Sequence, residues 1–267
     1  MISGGRTSGG RTSGGRTLDG RVALVTGGGR GIGRAISLGL AADGAAVAVN
    51  FRRDADSAGA TVDEIRAAGG RAHAFAASVD RYEDDEQLIA AIRDELGPVD
   101  LLVNNAGVAS RGLTVADTDP SEPDRLWRTH VFGAWALSKL VLPGMREAPR
   151  GDIVMISSAA VLYMAPFSAP YNMAKAGLEA LAVTLAKEER GHGVHVNIVA
   201  PGLVDTDMGR RLVKGAQGVD DIHTLDGRSA FGHVCSPDEV ARVVRFVVSD
   251  SASYVTGQRI GVDGGAW

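Results

Sequence analysis

Tyr171 and Lys175 lie four residues apart in the segment SAPYNMAKAGL, which has the pattern of a helix start. Residues four apart in a helix share one face, so the phenol and the ammonium would be neighbours. A free tyrosine has a pKa of about 10, and a nearby cation lowers that pKa by stabilising the phenolate. Such a pair could exchange a proton near neutral pH. A half-buried helix tyrosine beside a solvated lysine is the alternative, and the surrounding sequence must decide between them.

A glycine-rich run, TGGGRGIG at 26–33, follows a short apolar segment and precedes one with helical spacing. Its glycines at 27, 31 and 33 permit a tight turn and a close approach of the backbone to a phosphate. The N-terminus of the following helix offers unpaired N–H groups and a partial positive charge to a pyrophosphate. A flexible loop is the alternative, but the position between strand and helix favours a dinucleotide site.

The end of the next apolar segment, VAVNFRRD at 47–54, indicates which dinucleotide is bound. NAD enzymes usually present a carboxylate here to the ribose 2′-hydroxyl, whereas an arginine pairs with the 2′-phosphate of NADP. Phe51, Arg52 and Arg53 occupy the position, and Arg30 in the glycine run adds a second cation; arginines that are merely solvated are the alternative. Asp54 falls too far along, at the start of a helix. We therefore expect NADP(H) to be favoured over NAD(H).

Strand-like and helix-like segments alternate along the whole chain after residue 20. The strand-like runs are 22–26, 45–50, 72–77, 99–104, 153–157, 194–199 and 257–262, and the helix-like ones are 31–43, 54–69, 82–97, 124–147, 170–190 and 237–250. Near-continuous apolar strands separated by helices predict a parallel sheet covered on both faces. The predicted fold class is therefore α/β: one Rossmann-like domain with a doubly wound parallel sheet of about seven strands. Ligands of such folds collect at the carboxyl ends of the strands.

The first seventeen residues differ from the rest, because they repeat SGGRT three times and have no large apolar side chain after Ile2. We expect this tail to be disordered and the folded domain to span 18–267. That domain holds 25 basic and 32 acidic side chains, a formal charge of −7. An acidic body argues against a nucleic-acid partner. No apolar run approaches the roughly 20 residues of a membrane span, and the single cysteine, Cys235, fits a cytoplasmic protein.

At this point the chain resembles the short-chain dehydrogenase/reductase family over 18–267. Motifs in the family's order carry the resemblance: TGGGRGIG, NNAG at 104–107, Ser158, Tyr171 with Lys175, and PG at 201–202. Ser158 precedes Tyr171 by thirteen residues, which is the usual family interval. The run VNIVAPGLVDTDM at 196–208 is similar to 3-oxoacyl-acyl-carrier-protein reductases and their relatives that act on other carbonyls.

The resemblance implies an NADP(H)-dependent oxidoreductase that interconverts a carbonyl and a secondary alcohol by hydride transfer. The carbonyl oxygen gains negative charge and needs a proton, which Tyr171 would supply. Lys175 would lower the pKa of that tyrosine and hold the nicotinamide ribose, and Ser158 would stabilise the substrate oxygen. The residues expected to bind the cofactor are Gly27, Arg30, Gly31, Ile32, Phe51, Arg52, Ser78, Val79, Asn105, Ala106, Gly107, Tyr171, Lys175, Pro201, Gly202, Val204 and Thr206.

Two positions depart from the family pattern. His130 stands where the family usually has an asparagine, whose backbone carbonyl holds a water that links the lysine to solvent. His130 keeps that carbonyl, and its ring could itself relay a proton because imidazole titrates near neutrality; a packed histidine without a chemical part is the alternative. Ser78 and Val79 replace the acid that often meets adenine, so Ser78 would donate a hydrogen bond and Val79 would contact the ring with its backbone.

The substrate should be a small carbonyl or alcohol that is partly apolar. We expect the long irregular segment 203–235 to close its pocket. The apolar side chains expected there are Met208, Leu212, Ile222, Leu225 and Phe231, with Leu162, Met164 and Phe167 as a second wall. His192 and His195 lack a third ligand, so no metal site is expected.

The resemblance also implies a homotetramer, assembled through the helices predicted at 124–147 and 170–190 and through the last strand. Three alternatives to an NADP(H) enzyme stay open. The protein could be an NAD-dependent alcohol dehydrogenase, a non-catalytic dinucleotide-binding sensor, or a structural partner.

Overall fold

The computed structural model describes residues 17–265. The tail expected to be disordered, 1–17, lies outside the described residues except for Thr17. Strands and helices alternate through the described part. The strands are β1 Val22–Val25, β2 Ala46–Phe51, β3 Arg71–Ala76, β4 Leu101–Asn104, β5 Gly151–Ile156, β6 Val194–Pro201 and β7 Arg259–Val262. The α-helices are α1 Gly31–Ala42, α2 Ala55–Ala67, α3 Tyr82–Glu95, α4 Ser121–Trp127, α5 Gly133–Glu147, α6 Ala160–Tyr163, α7 Ala169–Glu189, α8 Asp207–Gln217 and α9 Pro237–Val247.

The seven strands form one parallel sheet in the order β3-β2-β1-β4-β5-β6-β7. The chain winds outward from β1 toward β3 and then returns to β4 on the other side. The crevice between the carboxyl ends of β1 and β4 is therefore the topological switch point, where ligands of such sheets bind. The predicted fold class, a single Rossmann-like domain with a doubly wound parallel sheet, is confirmed.

Apolar side chains cover both faces of the sheet, because the central strands are buried along their whole length. One core places α1, α2 and α9 against the sheet, with Ile36, Ile65 and Val244 among its buried residues. The other core places α3, α5 and α7 on the opposite face, with Leu137 and Leu178 fully covered. The near-continuous apolar runs of the sequence reflect this double burial.

Two segments differ from their predicted form. The helix predicted at 124–147 begins at Ser121 and is interrupted by a π-helical turn, Arg128–Phe132, which contains His130. The segment 203–235, expected to be irregular, contains α8 and two 3₁₀ turns, Ile222–Arg228 and Ala230–Gly232. The Thr206 hydroxyl caps α8 by accepting a hydrogen bond from the Gly209 amide. That N-cap begins a helix that the sequence did not indicate, because the mean hydropathy of the segment is low.

Among the helices formed by residues 17–265, none combines the length and the apolar character that a membrane crossing requires.

Candidate active site

The glycine loop between β1 and α1 has a backbone that other residues would not adopt. Gly27 and Gly31 have φ angles of 60° and 52°, in the left-handed region. A Cβ on Gly33 would lie 2.1 Å from the Gly27 carbonyl oxygen. The first turn of α1 carries no acidic side chain, and Arg30 at its N-cap makes no side-chain capping bond within the described chain. The loop therefore lets a phosphate approach the N-terminus of α1 closely, and the partial positive charge of that N-terminus suits a phosphate.

The NNAG segment after β4 is fastened to the start of the glycine loop. The amides of Asn105 and Ala106 both donate to the Thr26 hydroxyl at 2.9 Å. The Asn105 side chain donates to the Thr26 carbonyl at 2.8 Å. Gly107 follows directly, where a Cβ would lie 2.7 Å from the His130 ring. The structure thus brings the two segments expected to line the cofactor together at the switch point.

The loop after β6 lies on the other side of the glycine loop. A Cβ on Gly31 would lie 3.3 Å from the Thr206 methyl group. Val204 pairs with Cys235 in an isolated parallel bridge, and a Cβ on Gly202 would lie 3.0 Å from Asp263. The residues expected to border the nicotinamide therefore connect the glycine loop with the turn at Asp263 that follows β7.

Each arginine expected to meet a 2′-phosphate has a carboxylate beside it. Arg52 Nη1 lies 3.8 Å from Asp80 Oδ2, and Arg30 Nη1 lies 3.7 Å from Asp54 Oδ2. Asp54 also caps α2, as its place at a helix start predicts. Both arginines remain largely exposed, so an incoming phosphate can compete for them.

Sequence reasoning missed Asp80, although the acid was visible in the segment SVDR. Its carboxylate accepts the Ser78 hydroxyl hydrogen at 2.7 Å. Ser78 was expected to donate a hydrogen bond to adenine, but its hydrogen is already given to Asp80, so its oxygen is left to accept. The sequence alone did not reveal that Asp80 turns back toward both Ser78 and Arg52.

Ser158, Tyr171 and Lys175 meet at the carboxyl end of β5. Ser158 follows that strand, and its side chain is close enough to Tyr171 to act on the pKa of the phenol. Tyr171 lies in the first turn of α7, and Lys175 lies one turn further on, with Nζ 5.8 Å from the tyrosine ring centroid. Lys175 is buried, and its Nζ donates to the Ile156 carbonyl at 2.7 Å. The predicted constellation is assembled.

The ionisation of this group differs from the expected one. Burial raises the pKa of Tyr171, and the hydrogen bond from Ser158 acts in the opposite direction. Burial also lowers the pKa of Lys175 to about 7, while Glu179 acts to raise it. A low-dielectric site disfavours the phenolate and the ammonium alike. The expected lowering of the Tyr171 pKa is therefore not met, because burial outweighs the groups that favour the phenolate, and burial brings the pKa of Lys175 to about 7.

His130 is a packed histidine in this structure. Its Nε2 lies 2.9 Å from the Val108 carbonyl oxygen, and its ring stands edge-on to Tyr171 with centroids 5.6 Å apart. Its Nδ1 is buried and has no hydrogen-bond partner among residues 17–265. Burial, helped by Lys175, lowers the pKa of His130 to about 3. The expectation that this imidazole titrates near neutrality is wrong, because the ring is removed from water.

The apolar residues expected at the substrate pocket fall into two groups. Ile222 is buried in a small core with Val213 and Val234, and Leu225 packs against that core, so these two do not form an open wall. The other six are exposed: Leu162, Met164, Phe167, Met208, Leu212 and Phe231. Among the non-glycine residues of the described chain, only Met164, Phe167 and Phe231 have a positive φ. Such strained positions cluster at ligand-binding loops.

A glycine loop at the switch point with a serine–tyrosine pair beside it is the arrangement of an oxidoreductase of the doubly wound class. A family model described as Enoyl-(Acyl carrier protein) reductase matches residues 27–266. The chain belongs to this branch of the short-chain dehydrogenase/reductase family, which confirms the resemblance and the prediction of an oxidoreductase.

Named relatives cover nearly the whole chain. A 3-oxoacyl-[acyl-carrier-protein] reductase from Synechocystis sp. is 38% identical over 246 residues, which are 92% of this chain and 96% of the relative. The crystal structure of a dehydrogenase/reductase from Sinorhizobium meliloti is 34% identical with a TM-score of 0.84, and the match covers 94% of this chain and 96% of that one. The reductase LugOII, described as catalysing keto-reduction at C1 during lugdunomycin biosynthesis, is 32% identical with a TM-score of 0.83, over 93% and 98% of the two chains.

Proposed function

We propose that the protein is an NADP(H)-dependent oxidoreductase that interconverts a ketone and a secondary alcohol, with 3-oxoacyl thioesters as the first substrate class to test. One observation carries the proposal: the buried Lys175 lies one turn from Tyr171 on α7, with Nζ 5.8 Å from the phenol ring, beside Ser158 at the sheet edge that also holds the glycine loop. The Synechocystis relative is named as a 3-oxoacyl reductase and LugOII as a ketone reductase. Both names support a carbonyl as the reacting group.

The chain's own residues would carry the proton side of the reaction. When bound, the reduced nicotinamide supplies a hydride to the carbonyl carbon. Tyr171 donates the proton of its hydroxyl to the carbonyl oxygen, and Ser158 orients that oxygen by a hydrogen bond. Lys175, held by the Ile156 carbonyl, stabilises the phenolate that Tyr171 becomes. His130 packs against the tyrosine ring and keeps it in place.

The glycine loop fits a dinucleotide phosphate, because it turns tightly into the start of α1 and the first turn of that helix carries no acidic side chain. Arg52 and Arg30 supply the cations that a 2′-phosphate requires. Asp80 and Asp54 temper this preference by pairing with them. We therefore propose that NADP(H) is favoured over NAD(H), with the adenosine end shaped by Phe51, Ser78 and Val79.

The test follows oxidation of NADPH by absorbance with acetoacetyl-CoA and, separately, with crotonyl-CoA. The second substrate is included because the matching family model is named for enoyl reduction. The proposal predicts turnover of the ketone and a kcat/KM for the enoyl thioester that is lower by about 100-fold or more. Preferential reduction of crotonyl-CoA would contradict it. Tight NADPH binding without turnover across a wider ketone panel would favour the non-catalytic sensor.

We also propose a cytoplasmic homotetramer. The continuous helix formed by α4, the π turn and α5, together with α7, leaves Trp127, Trp135 and Met173 exposed. Large exposed apolar side chains on long helices suit an interface between copies of the chain. Light scattering tests this directly: the proposal predicts about four times the 27.6 kDa chain mass, and a monomer would contradict it.

A further inference from the structure

An arginine of the last strand contacts both α7 and the backbone of the proposed catalytic residue Ser158. Arg259 lies in β7, and its Nε donates to both carboxylate oxygens of Glu179, at 3.0 and 3.2 Å. Its Nη2 donates to the carbonyl oxygen of Ser158 at 3.1 Å. One side chain thus joins the C-terminal strand to α7 and to the backbone of a proposed catalytic residue.

Glu179 is the centre of this arrangement. Its Oε1 also accepts the hydroxyl hydrogen of Ser157 at 2.6 Å, so partners from β7 and from the end of β5 fix the carboxylate. The side chains of Glu179 and Arg259 are only 14% and 23% exposed. A charge-assisted pair that is mostly shielded from water is held more firmly than a surface pair.

Glu179 also acts on Lys175, which lies one helical turn earlier on α7. The Lys175 ammonium has the Ile156 carbonyl as a partner, and burial disfavours its charge. Glu179 is the group that opposes this effect of burial. Two further titratable groups of the described chain near Lys175 carry no counter-charge: Tyr171 is a neutral phenol and His130 a neutral imidazole. The positive charge of Arg259 lies against the Glu179 carboxylate and so weakens the stabilisation that this carboxylate gives to the Lys175 ammonium.

We propose that Glu179 and Arg259 are positioning residues that together set the protonation state of Lys175 and the place of Ser158. This inference rests on the proposed function for its consequence in catalysis. Glu179 keeps Lys175 as the ammonium that the proton transfer needs. Arg259 limits that stabilisation and holds the serine backbone.

Because Glu179 and Arg259 carry opposite charges, removing each of them should shift the pKa of Lys175 in opposite directions. Glu179→Gln removes the charge that opposes the effect of burial on Lys175 and leaves Arg259 without its partner, which should lower the pKa of the lysine by about one pH unit. Arg259→Gln leaves Glu179 with its charge undivided, which should raise that pKa by a similar amount. An ion pair that only ties β7 to α7 would be broken equally by both changes and would predict no such opposition.

The measurement is an NMR titration of the full chain with ¹³C-labelled lysine. The sequence has only four lysines, and Lys175→Arg identifies the signal of interest. Glu189→Gln is the matched control, because it breaks a similar pair with Arg146 further along the same helix, at 2.5 and 2.8 Å. We expect the Lys175 midpoint to fall in Glu179→Gln, to rise in Arg259→Gln and to stay unchanged in the control.

Equal midpoints in the two variants, or shifts in the same direction, would overturn the inference. If Glu179→Gln does not fold, the direction of the shift in Arg259→Gln decides alone. The pH dependence of kcat for ketone reduction is measured in parallel, and its alkaline limb should move in the same directions as the lysine midpoint. Opposite NMR shifts in a protein that reduces no ketone would refute the proposed function and leave the electrostatic inference standing.

Discussion

At the scale of single residues, burial decides the chemistry more than spacing does. Tyr171 and Lys175 have the spacing that predicts a proton-exchanging pair, and the structure places them together. Burial nevertheless raises the pKa of the tyrosine and lowers that of the lysine to about 7. A protein with this site should therefore be sensitive to pH near neutrality. In the reducing direction, activity should fall as pH rises through the lysine pKa, because the ammonium is then lost.

The cofactor preference is also a matter of single residues. Replacing Arg52 by glutamine removes a cation from the proposed 2′-phosphate site. We expect KM for NADPH to rise by about tenfold or more, since a charge-assisted hydrogen bond to phosphate is worth about 1.5–3 kcal/mol. KM for NADH should change little.

Asp80→Asn is the paired variant, because it frees Arg52 from its carboxylate neighbour. Steady-state kinetics with the two cofactors should show a stronger preference for NADPH than in the parent protein. A parent protein that prefers NADH, or an Arg52→Gln variant that affects both cofactors equally, would refute this assignment of the arginine.

At the scale of elements, the glycine loop depends on the space between β1 and α1. In Gly33→Ala the new methyl group would meet the Gly27 carbonyl at 2.1 Å, a contact that only movement of the loop can relieve. We expect loss of NADPH binding, measured by cofactor fluorescence. Gly59→Ala is the control, since a Cβ there meets nothing within 4 Å in the middle of α2. That change should leave binding intact and stabilise the fold by about 0.5–1 kcal/mol. Normal binding by Gly33→Ala would contradict the account of the loop.

Sequence reasoning predicted elements well where their pattern was local. The strands were found because both faces of the sheet are buried, so each strand is a short apolar run. The π turn at His130 was not found, since it inserts one residue into an otherwise regular helix and leaves the apolar pattern almost unchanged. Helix α8 was missed because few of its residues are buried.

The sequence predicted those parts of the site that carry a local motif. The glycine loop, the NNAG segment and the Ser158–Tyr171–Lys175 set each have a local signature. Asp80, Glu179 and Arg259 have none, because their importance comes from contacts with side chains distant in sequence or on other elements. The ionisation of His130 could not be read from its residue type, since burial determines it.

At the scale of the whole molecule, one buried acid should make stability depend on pH. Asp85 lies in the first turns of α3, is fully buried, and has no hydrogen-bond partner among residues 17–265. Burial, helped by Asp84 and Asp80, raises its pKa to about 8. An unfolded aspartate has a pKa of about 3.9, so the folded state holds its proton more tightly. The free energy of unfolding should therefore fall as pH rises from about 4 to about 8.

Asp85→Asn removes this penalty. Urea unfolding should show a gain in stability over the parent that is greater at pH 7.5 than at pH 5, by about 1 kcal/mol after allowance for solvent screening. Glu86→Gln, on the exposed side of the same helix, should show no such dependence. An equal effect of Asp85→Asn at both pH values would contradict the assignment of a buried, protonated carboxyl group.

The central claim is that Tyr171 gives its proton to a ketone oxygen. The most direct measurement is single-turnover oxidation of NADPH by acetoacetyl-CoA in the parent protein and in Tyr171→Phe, which loses only the hydroxyl. We expect the rate to fall by about 100-fold or more, while the Kd for NADPH, measured by fluorescence, stays within about threefold of the parent value, a shift of under 1 kcal/mol. A phenylalanine variant that reduces the ketone at close to the parent rate would contradict the claim.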